Sequence, residues 1–309
     1  MSLLDKRVIV TGGEGFLGYH VTKQLECKEL SIIRHSEYEL LNDSDVVRMY
    51  YDYNPDIVIH LAARVGGIGY NKTNPGKLFY ENLKMGLNMI HYGMLHGIEK
   101  MVCVGTICSY PKIPPRIPFK EEDLWEGYPE ETNAGYGIAK KALLVQCQTY
   151  RQQYGMNCIY LMPVNMYGEH DDFEDESSHV IPALIKRFIN AKKNNLSEVV
   201  IWGSGRATRE FLYVDDCAKA IAVATDSYNK SEPINLGSGQ EISIANLTEM
   251  ISDIVGYAGV IKFDDSMPDG QPRRVLDVSR MRKELGSFSP LSLKEGLIRT
   301  IKWYNDGQL

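Results

Sequence analysis

The chain has no apolar run approaching the roughly 20 residues that cross a bilayer, so no membrane-spanning helix is expected. It also lacks a basic excess. Its 34 lysines and arginines face 40 acidic residues, and the net charge of -6 argues against nucleic acid or an anionic membrane surface as the main partner. Anionic small substrates stay open, because local arginines decide those. Cysteine is sparse and unpatterned: Cys27, Cys103, Cys108, Cys147, Cys158 and Cys217 form no CxxC pair and show no metal-ligand spacing. Neither a disulfide framework nor a metal site is expected, most of these thiols read as core filler, and a reduced, cytoplasmic protein is the simplest reading. Internal repeats and low-complexity tracts are absent, and the opening MSLLDKRVIVTGG runs into a strand-like stretch without the form of a signal peptide.

What is present is ordinary globular composition, 44% apolar in 309 residues, enough to bury one large α/β domain or two modest ones. Arg7 to Thr11 is a β-branched strand, followed by a glycine turn and a helical run to about Cys27. Gly12, Gly15 and Gly18 in that turn follow GxxGxxG spacing. Such a turn allows a tight bend, close approach of a pyrophosphate and close packing of helix on sheet, and the helix start faces the phosphates with free N–H groups. A second strand, Leu30 to Ile33, ends at Arg34-His35-Ser36. A cation and a hydroxyl there suit a 2′-phosphate and so NADP; a solvated basic loop is the other reading. Glu14 puts an anion in the turn, which works against a 2′-phosphate and leaves that task to Arg34.

Asp56 to His60 is a third strand running into Leu61, Ala62 and Ala63, small enough for a cofactor to lie against the backbone. A long helix from about Gly76 to His96, a strand from Lys100 to Gly105, a helix to about Tyr154 and a strand from Cys158 to Pro163 complete an alternation typical of a parallel, doubly wound Rossmann-type sheet. The regularity then breaks. A helix over Val180 to Ala191, a strand over Val199 to Trp202, a helix opening within Arg209 to Asp216, a strand at Ile234 to Gly237 and a helix from about Ile244 read as a smaller, interleaved substrate domain. The expected boundaries are 1–165 for the cofactor domain, with 212–237 returning to it, and 166–211 with 238–309 for the substrate domain.

Ligands bind at the carboxyl ends of strands in such sheets, where Thr106, Cys108 and Asn165 stand. Tyr136 and Lys140 lie four apart, on one face of a helix. An ammonium near a phenol favours the phenolate and lowers its pKa from ~10, giving a group able to exchange a proton with an oxygen on a reacting carbon. Alone, YxxxK is equally the polar edge of an amphipathic helix.

Together TGGEGFLG, HLAA, Thr106 and YGIAK resemble the extended short-chain dehydrogenase/reductases that act on nucleotide sugars. LAARVGGI, VGTICSYPK, ETNAGYGIAKKALL, PVNMYGEHDDF, SSHVIPALIKRF, VIWGSGRATREFLYVDD and PDGQPRRVLDV are similar, more narrowly, to segments of the GDP-L-fucose synthase group. These segments run through essentially the whole chain. The resemblance implies a 3,5-epimerase and NADPH-dependent 4-reductase acting on GDP-4-keto-6-deoxy-D-mannose. It implies Tyr136 as the acid for the C4 oxygen, Lys140 as its tuner, Thr106 at the position of the family's serine, and Cys108 with His179 as the epimerisation pair. A ketone at C4 acidifies C3 and C5, and inverting each needs a base and an acid on opposite faces. By themselves Cys108 reads as a small buried hydrophobe and His179 as a helix cap; their contexts turn the reading.

The implied cofactor contacts are Gly12, Gly15, Phe16, Leu17, Gly18, Arg34, Leu61, Ala62, Ala63, Val104, Gly105, Pro163, Asn165 and Met166, with Tyr136, Lys140 and His179. The implied GDP-sugar contacts are Asn165, Arg187, Trp202, Arg209 and Asp269, arginine forks for a pyrophosphate and an indole face for base or sugar. The group commonly dimerises through its two long helices, and Met85, Met89, Leu143 and Leu144 supply apolar residues for such a face, or for the core. Two alternatives stand beside this reading: a reductase for another GDP-4-keto sugar, such as a heptose, and a non-catalytic NADP-binding protein.

Overall fold

A computed structural model describes residues 2–175, 178–267, 269–286 and 289–307; Ser177 of the SSHVIPAL segment and Pro268 of the polar loop lie outside the described residues. The chain opens with β1 (Arg7–Thr11), α1 (Phe16–Gln24), β2 (Glu29–Ile33), α2 (Asp43–Tyr53), β3 (Ile57–His60), α3 (Ile68–Thr73), α4 (Pro75–His96), β4 (Lys100–Val104), α5 (Ala134–Tyr154) and β5 (Cys158–Pro163). It continues through β6 (Asn165–Tyr167), α6 (Val180–Lys193), β7 (Glu198–Trp202), β8 (Thr208–Tyr213), α7 (Val214–Ser227), β9 (Ile234–Leu236), β10 (Glu241–Ser243) and α8 (Ile244–Val255). The last elements are β11 (Val260–Asp264), β12 (Arg273–Arg274), α9 (Ser279–Leu285) and α10 (Leu293–Asp306).

Six strands form one parallel sheet in the order β2-β1-β3-β4-β5-β9. β3, β4 and β5 are buried along their whole length, as strands covered by helices on both faces must be. The order turns at β1, so the carboxyl ends of β1 and β3 open the crevice where doubly wound sheets take ligands. Smaller sheets carry β10-β8-β12, with β6 beside β8, and β7 beside β11. Two apolar clusters result. One fills the large sheet and its helices; the other joins Ile185, Phe188, Ile201, Phe211, Leu247 and Leu297 beneath the smaller sheets.

Two expectations change. Helix α1 stops at Gln24, short of Cys27, because Leu25 turns extended at φ -89° and ψ 119°. Arg209 to Tyr213 is strand, and the helix starts only at Val214. That stretch pairs with β6, β10 and β12, and the buried Glu210 carboxylate accepts from the Gly239 N–H (2.6 Å) and the Leu276 N–H (2.6 Å), partners a helix could not give it. Of the two readings left open for Met85, Met89, Leu143 and Leu144, the core is the one that holds: they pack between α4, α5 and the sheet.

Candidate active site

The carboxyl ends of β1, β3, β4 and β5 converge on a cavity of about 670 Å³. Gly12 makes the turn out of β1 with φ +71°, and a Cβ there would lie 2.7 Å from the Ala62 amide. Only glycine lets this turn touch the loop after β3. Behind it, the Thr11 hydroxyl accepts from the Ala62 N–H (3.3 Å) and lies 2.8 Å from His60 Nδ1. Burial pushes the His60 pKa down to about 3, so the ring is neutral. Asn82 holds Arg64 through both its N–H and its carbonyl: its Oδ1 accepts from the Arg64 N–H (3.0 Å) and its Nδ2 donates to the Arg64 carbonyl (2.9 Å).

Beyond β4 the chain makes one tight 3-10 turn, Ile107–Ser109, capped by Thr106, whose Oγ1 accepts from the Cys108 N–H at 3.2 Å. Helix α5 docks on this turn through Gly137, where any side chain would strike the Cys108 carbonyl. Ser109 Oγ donates to the Gly137 carbonyl at 3.0 Å. This close approach carries Tyr136 to the wall that also holds Thr106 and Cys108. Lys140, one turn on, donates to the Val104 carbonyl at 3.0 Å and stands 5.9 Å from the Tyr136 ring centre.

The electrostatics differ from the sequence expectation. Burial, with a contribution from Cys108, pushes the Tyr136 phenol well above its usual value. Burial outweighs the neighbouring lysine, and it lowers the lysine's own pKa to about 8. In the protein alone the pair is therefore a firmly protonated phenol beside a weakly held cation. His179 caps α6 with its ring open to the cavity, yet the protein atoms around it lower its pKa, partly offset by Asp172.

Of the expected residues, Gly12, Gly15, Phe16, Leu17, Gly18, Leu61, Ala62, Ala63, Val104, Gly105, Thr106, Cys108, Tyr136, Lys140, Pro163, Asn165, Met166 and His179 all line this cavity. Arg34, Arg187, Trp202, Arg209 and Asp269 do not. Arg34 stands outside it, its Nε 2.8 Å from Glu14. The other four stand by the smaller sheets, Arg187 of α6 against β7, which ends at Trp202, and Arg209 of β8 against Asp269. Arg187 Nη1 donates to the Val200 carbonyl (2.7 Å), two residues before Trp202, which is 67% exposed. Arg209 Nη2 donates to the Asp269 carbonyl (3.2 Å), and the Asp269 carboxylate accepts from Ser204 Oγ (2.6 Å). Burial and Arg274 lower the Arg209 pKa to about 10. Arg274, beside Arg209 in the β8–β12 register, donates from Nη2 to Cys108 Sγ at 3.5 Å and so links this cluster to the cavity.

Sequence reasoning missed Arg274 and Asp171, which the motifs RR and HDDF contain without marking. Asp171 lines the cavity, accepts from the Asp172 N–H (2.8 Å) through one oxygen, has no partner for the other among the described residues, and has its pKa raised to about 7 by burial. Cys103, Cys147 and Cys158 do meet, their sulfurs within 4.8 Å of one another, but wholly inside the core.

The residues present fit a dinucleotide. The start of α1 has no side-chain cap, so its N–H groups are left for an anion, and small residues floor the cavity beside it. Fold and site together define a member of the NAD dependent epimerase/dehydratase family, whose profile matches residues 8–237, and the chain belongs to that family. Within it the chain is 42% identical to the putative GDP-L-fucose synthase 2 of Arabidopsis thaliana, over 98% of this chain and 93% of that one. Among solved structures, a GDP-L-fucose synthetase from Naegleria fowleri bound to NADP superposes with a TM-score of 0.91 at 27% identity, covering 100% and 95% of the two chains. A GDP-6-OMe-4-keto-L-xylo-heptose reductase from C. jejuni reaches the same TM-score at 28% identity, covering 99% of each.

Proposed function

We propose that this chain converts GDP-4-keto-6-deoxy-D-mannose to GDP-L-fucose by inverting C3 and C5 and reducing the ketone at C4. The observation that carries the reading is the meeting of Thr106, Cys108, Tyr136, Lys140 and His179 in one cavity at the strand ends, in a chain 42% identical to the putative GDP-L-fucose synthase 2 of Arabidopsis thaliana. Cys108 and His179 are the pair that withdraws a proton beside the ketone and returns one to the opposite face. Thr106 and Tyr136 hydrogen-bond the C4 oxygen, which lets negative charge build there during both steps. Gly12 to Gly18 and Lys140 would hold NADPH, which when bound would supply the hydride for C4. The Tyr136 phenol then gives its proton to the alkoxide, and its raised pKa keeps it loaded at neutral pH.

Residues 1–165 with 212–237 serve as the cofactor unit in this reading. The remainder is the GDP-sugar unit, with Arg187 and Arg209 on the diphosphate and Trp202 and Asp269 on base or sugar. A cytoplasmic homodimer through α4 and α5 goes with it, resting on their exposed Tyr80, Leu87 and Val145 in place of the core residues first considered. The heptose reductase likeness favours a second reading, reduction of another GDP-4-keto sugar. Offering both sugars with NADPH and following its oxidation separates them. Turnover of the deoxymannose derivative supports the first reading, turnover of the heptose alone the second, and oxidation with neither sinks the reductase assignment.

A further inference from the structure

The corner of the cavity at the end of β2 is where a dinucleotide presents the 2′ position of its adenosine ribose. Its walls include Glu14, Ile33, His35, Tyr38, Glu39 and Leu40. The cation expected there is already engaged: Arg34 Nε donates to Glu14 Oε1 at 2.8 Å, and its Nη1 lies 3.9 Å from Glu37 Oε1. His35 Nε2 is 2.8 Å from Glu39 Oε2, whose other oxygen accepts from the Leu41 N–H at 3.0 Å. The next guanidinium, Arg48, is spent on Asp45 (2.9 Å) and on the Glu37 carbonyl (2.8 Å). Three carboxylates therefore share this corner with one guanidinium.

A 2′-phosphate carries close to two negative charges at neutral pH. To bind here it must share the Arg34 guanidinium with Glu14 and sit beside that carboxylate. A 2′-hydroxyl meets no such conflict, because it can donate to a carboxylate directly. Glu14 is the carboxylate placed to do both, standing in the glycine turn with its side chain 60% exposed.

Resting on the dinucleotide reading above, we propose that Glu14 sets cofactor choice: it occupies Arg34 and offers its carboxylate to a ribose hydroxyl, so the chain binds NADH nearly as well as NADPH. Exposed pairs are weak and screened by salt, so the two dissociation constants should differ by no more than about tenfold at low ionic strength.

The test is calorimetric titration of NADPH and NADH into the wild type, Glu14→Gln and Arg34→Ala, with thermal melts to confirm folding of these surface variants. The expected result is a wild-type preference under about tenfold, which Glu14→Gln shifts towards NADPH by about fivefold or more and Arg34→Ala shifts towards NADH. A wild-type preference for NADPH of a hundredfold, or a ratio unchanged in Glu14→Gln, overturns the inference while leaving the dinucleotide site intact. Binding of neither dinucleotide overturns the site itself, and this inference with it.

Discussion

Replacing Lys140 with methionine isolates what the lysine's charge does, because the stem is kept and the ammonium removed. The ammonium stands 5.9 Å from the Tyr136 ring centre, and at an effective dielectric constant of ~20 a unit charge there favours the phenolate by about 3 kcal/mol. Reduction ends with that phenolate formed, so losing the charge should slow the reductive step roughly hundredfold. Folding pulls the other way. Holding a lysine at a pKa of about 8 costs about 3 kcal/mol at neutral pH, which the methionine recovers, less the 1–3 kcal/mol for leaving the Val104 carbonyl unpaired. The variant should thus be at least as stable as the wild type in urea titrations, which removes misfolding as an explanation. The assay compares NADPH oxidation at saturating cofactor with deuterium uptake from heavy water into the keto sugar. Reduction should fall about a hundredfold while exchange, the work of Cys108 and His179, stays within a few fold. Equal loss of both would refute the division of labour, and normal reduction would refute the electrostatic role of Lys140. In the wild type, reduction should weaken as pH rises past about 8, where the lysine loses its charge.

Cys108→Ala should abolish deuterium exchange while a sugar already in the final configuration is still reduced; unimpaired exchange would remove Cys108 from the reaction. Gly137→Val drives a side chain into the Cys108 carbonyl, so it should abolish both activities and lower the urea midpoint, and full activity would mean α5 need not touch the turn. Asp171 binds a proton in the native state up to about pH 7 but only to about 3.8 when unfolded. The native state holds more protons between those values, so its contribution to stability is full below about 4 and is lost as pH rises towards 7. Asp171→Asn should flatten that slope in urea titrations at pH 5 and pH 7.5, and parallel slopes would contradict it.

The parallel sheet was legible because its strands are short, largely apolar runs and the first glycine turn stands between strand and helix. Tyr136 and Lys140 were legible because helical spacing alone puts them on one face. What was hidden depends on meetings across the chain. Arg34 looks free in sequence, and its partner Glu14 comes near only when β2 packs beside β1. The sense of the Tyr136 shift was hidden for the same reason: the neighbouring lysine is visible in sequence, whereas the burial that outweighs it is not. Residues 209–213 carry an apolar run that suits helix or strand, and the partners that decide it lie on β6, β10 and β12. The helical apolar pattern of Met85, Met89, Leu143 and Leu144 likewise names a buried face without saying what buries it; here α4 and α5 bury each other's, with Gly86 against Leu143.

The central claim is that one cavity inverts two carbons and then reduces a third. Complete conversion of GDP-4-keto-6-deoxy-D-mannose in heavy water with unlabelled NADPH tests it by the mass and proton spectrum of the isolated product. The account predicts deuterium at C3 and C5, ordinary hydrogen at C4 and the L-fucose configuration. A reduced product with no deuterium on carbon and the original configuration at C3 and C5 would contradict it.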